Sequence, residues 1–64
     1  MIPPVAQAKL RDIQFEVFSR EARWLWRVTK NRVIFYGLAD SLDEAKQEAV
    51  KQCGIPEGLV IWQV

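Results

Sequence analysis

Arg23, Arg27, Lys30 and Arg32, with Thr29 among them, concentrate the chain's chemically capable side chains within ten residues. Arginine carries a planar fork of donors that grips phosphate or the edge of guanine. The run Arg23-Trp24-Leu25-Trp26-Arg27-Val28-Thr29 alternates strictly. On a strand, both arginines, Leu25 and Thr29 therefore share the face opposite the two tryptophans. Lys30 and Arg32 follow in a turn around Asn31. Three uses of that face stay open. It would read nucleic acid, as short antiparallel sheets do in a major groove. It would engage protein, with Leu25, Phe18 and one of Ile34 or Tyr36 forming an apolar strip rimmed by arginine. Or the arginines only solvate the outer side of the sheet, their stems lying over apolar neighbours.

Catalysis finds less support. The chain has no histidine, the commonest general base near neutral pH. Cys53 falls at the C-terminal end of a predicted helix, where the dipole opposes a thiolate. It reads as a buried structural thiol. Asp40, Asp43 and Glu44 cluster at the start of that helix, where carboxylates serve capping. With one cysteine and no histidine, the usual structural zinc ligand sets are ruled out. There is no EF-hand loop, Walker-type loop or dinucleotide fingerprint. The expectation is a non-enzyme with no cofactor and no metal site.

The elements that position the basic strand are well signalled. Gln14-Phe15-Glu16-Val17-Phe18 alternates, with Phe15 and Val17 on one face. Ser19 to Ala22 connects it to the Trp-bearing strand. Val33-Ile34-Phe35-Tyr36 is β-branched and aromatic, and the strand is expected to stop at Gly37. Ser41-Leu42-Asp43-Glu44 forms a capping box that opens a helix ending at Cys53. Gly54 suits the left-handed position that follows, and Pro56 blocks resumption. Leu59 to Val64 reads as a fourth strand. Pro3-Pro4 gives an extended start, and Val5 to Arg11 is compatible with a short helical turn.

This predicts one α+β domain over residues 1–64, a small antiparallel sheet in the order β-β-β-α-β. Residues 1–12 form an extended or short helical segment, and residues 13–64 the sheet-plus-helix core. The expected core is Phe15, Val17, Trp24, Trp26, Val28, Val33, Phe35, Leu42, Ala45, Ala49, Ile61 and Cys53. Half of the 64 residues are hydrophobic. That argues against disorder, although so short a chain buries only about 60% of its unfolded surface. Net charge is +1 but unevenly spread. Residues 1–39 hold seven Lys and Arg against three acids, and residues 40–64 hold two against five. A single thiol fits a reducing, cytoplasmic setting. The first residues lack a signal-peptide pattern, and no apolar run is long enough to span a membrane.

The stretch Phe15-Glu16-Val17-Phe18, then Trp24-Leu25-Trp26-Arg27-Val28 and Asn31, resembles the YegP-like domains, strand-rich modules of no established function. Arg32 here follows Asn31, where those domains have glycine. Three strands followed by Ser41-Leu42-Asp43-Glu44-Ala45 are also similar to the arm-site DNA-binding domains of phage integrases. That resemblance implies Arg23, Arg27 and Thr29 at a DNA-reading sheet face. HicB-like antitoxin domains share the strand order and imply binding to a partner toxin. Together the resemblances imply a non-enzymatic accessory role. The expected function is a small interaction module that binds a protein partner, itself included, with nucleic-acid binding as the alternative. The expected binding residues are Arg23, Leu25, Arg27, Thr29, Lys30, Arg32 and Tyr36.

Overall fold

The computed structural model describes residues 3–63, and residue 57 by its backbone alone. Met1, Ile2 and Val64, which the expected end segments include, lie outside the described residues. Four strands form one antiparallel meander: β1 (Ala6–Leu10), β2 (Ile13–Arg20), β3 (Arg23–Lys30) and β4 (Val33–Ala39), in the spatial order β1-β2-β3-β4. Helix α1 (Leu42–Gln52) follows, then a single 3₁₀ turn at Glu57–Leu59. The α+β class and the antiparallel sheet under one helix agree with the sequence reading. The order is β-β-β-β-α rather than β-β-β-α-β, a correction at both ends of the chain.

The N-terminal segment is a strand, not a helical turn. Ala6, Ala8 and Leu10 pair opposite Val17, Phe15 and Ile13 on the core face. Alanine favours helix in isolation, but here its small side chain fits beside bulky neighbours on β2, and packing overrides propensity. The C-terminal segment is a strap, not a strand. Among the described residues of this segment, Gln63 alone pairs with β1, in an isolated bridge to Gln7. Because β1 already pairs with β2, the tail reaches only the outer edge of β1. Val60 is buried, and Trp62 packs edge-on against Phe15 at 5.8 Å between ring centroids.

Three two-residue turns join the strands, and each places its first residue at positive φ: Arg11 57°, Glu21 53° and Asn31 49°. Such turns match the right-handed twist of the flanking strands, which is why they are used despite the absence of glycine. Ser41 caps α1, its hydroxyl accepting from the Glu44 backbone N–H at 3.1 Å. Gly54 follows the helix at φ 67°, donating to the Lys51 carbonyl at 3.0 Å.

The helix and the strap cover one sheet face. Ala45, Ala49 and Val50 are buried against β2, β3 and β4, where Phe15, Val17, Trp26 and Val28 supply the bulk. Trp24, Phe35, Leu42 and Cys53 pack at the rim of this core. Two expected core residues do not belong to it: Val33 is half exposed and Ile61 is 81% exposed. Val33 flanks a turn at the sheet's end, and Ile61 points away from the strap's packed side. Gly37 does not end β4. It lies opposite Trp26, whose indole occupies the space that a side chain would need.

Candidate interaction surface

The second sheet face is uncovered by any described element. Strand alternation and register arrange its side chains in rows. Phe18, Leu25 and Leu38 form one row, and Gln7, Glu16, Arg27 and Tyr36 the next. Lys9, Gln14, Thr29 and Ile34 form the third. Leu38 and Ile34 are about half exposed, and Tyr36 is 59% exposed. Together with half-buried Phe18 and Leu25 they make a contiguous apolar strip along the β3–β4 side.

Arg27 is fixed at the centre of this face. Its Nε donates to Glu16 Oε1 at 2.9 Å, and its Nη2 donates to the same oxygen. The guanidinium carbon lies 5.3 Å from the centre of the Phe18 ring. The hydrogen bonds to Glu16 raise the Arg27 pKa above its ordinary value, against partial desolvation and with help from Tyr36. An arginine held on both sides is a preorganised anchor rather than a mobile point charge. Among the described side chains, Arg27–Glu16 is the one ion pair.

The expected binding residues divide into three groups. Arg23, Leu25, Arg27, Thr29 and Tyr36 come together on the outer face, as alternation implied. Lys30 does not join them. It shares parity with Trp24, Trp26 and Val28, and sits on the helix side near Cys53. There it helps line an open recess of about 540 Å³ with Leu10, Ile13, Asn31 and Ile55. Arg32 lies in the β3–β4 turn at φ 69°, exposed beyond the end of the strip. At the opposite end Arg20 and Arg23 face each other across β2 and β3.

Ile34 and Tyr36 both belong to the strip, where one had been expected. Leu38 is a further member that the sequence reading missed, because Gly37 read as a stop. Glu16 was missed as the partner of Arg27, although its parity with Phe18 placed it on the same face. Cys53 is half-buried and unpaired, and burial raises its thiol pKa, while Lys30 lowers it. No group of three acidic, cysteine or histidine side chains among the described residues is placed to hold a metal ion. No helix among them is long and apolar enough to cross a membrane. Comparison with known proteins finds no matching family model, no matching curated protein and no matching solved structure.

Proposed function

We propose that this chain is a non-catalytic interaction module that binds a protein partner through the outer sheet face. The observation that carries this reading is the strip Phe18, Leu25, Ile34, Tyr36 and Leu38, uncovered and centred on a fixed arginine. Tyrosine and arginine over an apolar patch are the residue types that dominate interface energetics. Such a contiguous patch is unusual on a surface that only meets water. The raised pKa of Cys53 leaves its thiol less nucleophilic at neutral pH, which agrees with a non-catalytic role. An unpaired thiol also suits a reducing, cytoplasmic setting.

A second reading, nucleic-acid binding, draws on the opposed Arg20 and Arg23, a like-charge arrangement that costs stability and suggests an anionic ligand. Pairing of Arg27 with Glu16 weakens it, because the central guanidinium is already engaged. A photo-crosslinking residue placed at Leu25 in cells tests both. Discrete protein adducts, absent when the same residue replaces Gln47 on the helix, support the proposal. Nuclease-sensitive adducts transfer support to the second reading, and no adduct from Leu25 overturns the first.

A further inference from the structure

The two edges of the sheet differ. The outer edge of β1 is partly closed, since Gln7 and Gln63 exchange backbone hydrogen bonds at 2.9 and 2.7 Å. The outer edge of β4 has no such partner among the described residues. Natural edge strands are blunted by charge, proline, bulges or shortness. β4 has none of these. It runs Val33-Ile34-Phe35-Tyr36-Gly37-Leu38-Ala39 without a charge or a proline, and its register against β3 is unbroken. We infer that a second copy of this chain pairs with it, β4 against β4 in antiparallel fashion about a twofold axis at Tyr36.

The register follows from the hairpin. Asn31 and Arg32 form a two-residue turn with both φ positive, so the flanking Lys30 and Val33 exchange hydrogen bonds. Bonded and non-bonded pairs then alternate along an antiparallel ladder. Val33, Phe35, Gly37 and Ala39 direct their backbone groups to β3. Ile34, Tyr36 and Leu38 direct theirs to the open edge. A twofold at Tyr36 sets Tyr36 against the partner's Tyr36 and Ile34 against the partner's Leu38. All the outward-directed residues then find outward-directed partners. Sliding the axis by one residue either way leaves one of them unpaired in each copy.

Charge complementarity selects the same register. Just beyond the two ends of β4 stand Arg32 and Asp40, of opposite sign. The axis at Tyr36 brings Arg32 opposite the partner's Asp40 at both ends of the interface. The arrangement is isologous and closes on itself as a dimer. Residues facing each other across an antiparallel pair share a face, so the two apolar strips merge into one. This goes beyond the outer-face reading: it uses the β4 edge and leaves the merged face open to a further partner.

Sedimentation velocity of the full chain across a wide concentration range tests the pairing. The wild type should dimerise, and Ile34→Lys, which puts a charge on the edge, should be monomeric. Arg32→Asp and Asp40→Arg should each weaken the dimer roughly five- to tenfold, since each acts at both ends. The double exchange should return most of the affinity. Far-UV circular dichroism at low concentration checks that every variant keeps its fold. A wild type that stays monomeric overturns the inference, as does a dimer indifferent to Ile34→Lys or not rescued by the double exchange. A monomeric wild type whose Leu25 crosslinks to another protein would retain the outer-face reading while removing this one.

Discussion

Gly37→Ala is the substitution whose effect the structure constrains most tightly. An ideal Cβ at this position would overlap Cζ2 and Cε2 of Trp26 and lie 2.5 Å from its Nε1. Non-bonded heavy atoms prefer about 3.5–4.0 Å, so the indole would have to retreat by about 1 Å or more. Trp26 is almost fully buried beneath α1, and close-packed interiors give little. Overpacking of this kind costs about 1–3 kcal/mol. Relief of glycine's unfolded-state entropy returns about 0.4–1 kcal/mol. A net loss of about 1.3 kcal/mol lowers the melting temperature by roughly 5–10 °C in a domain of this size. With Trp26→Leu in the background, the obstruction goes and Gly37→Ala becomes neutral or stabilising. Urea titrations of the four members of this cycle, followed by circular dichroism, should give a coupling of about 1–3 kcal/mol. Trp26→Phe supplies a milder cycle if the leucine variant melts too low. Equal effects of Gly37→Ala in both backgrounds would refute the reasoning.

Other expected outcomes follow from single observations. Glu21→Asn places a residue that tolerates positive φ in the β2–β3 turn and should stabilise by about 0.5–1 kcal/mol, read by thermal melting. Glu16→Ala should cost less than about 1 kcal/mol, the range of partly exposed ion pairs. If nucleic acid is the ligand, the freed Arg27 should strengthen salt-dependent binding, and a salt titration decides that. Burial holds the Cys53 pKa above its unfolded value, so the folded state keeps its proton more tightly. The associated stability is full below the unfolded thiol pKa and is lost as pH rises through the folded value. Cys53→Ala should remove that alkaline component from a pH series of melts.

Much of the fold was legible because β2, β3 and α1 carry redundant signals. Alternation placed Phe15, Val17, Trp26 and Val28 inward and Leu25, Arg27 and Thr29 outward. The capping box fixed the helix start at Ser41, and Gly54 its end. The ends of the chain were opaque for a physical reason. Ala6 and Ala8 are small because β2 presents Phe15 and Val17 beside them, a tertiary fact without a local signature. Leu59 to Val64 looks strand-like by composition, yet β1 occupies the place beside β2 that such a strand would need. Gly37 misled for a related reason. It read as the end of a strand, whereas it leaves room for the Trp26 ring, and Leu38 was lost from the strip as a result. Lys30 shows the limit of proximity in sequence. One residue beyond Thr29, it falls on the other side of the sheet.

The proposed dimer stands or falls on β4 being an open edge that a second copy closes. Residue-resolved amide hydrogen exchange in dilute and in concentrated protein measures this directly. In dilute protein the amides of Ile34, Tyr36 and Leu38 should exchange fast, while those of Val33, Phe35, Gly37 and Ala39 are protected by β3. In concentrated protein the first three should slow markedly, with Gln7 and Gln63 unchanged. Equal exchange of Ile34, Tyr36 and Leu38 at both concentrations, or slowing confined to another surface, would contradict it.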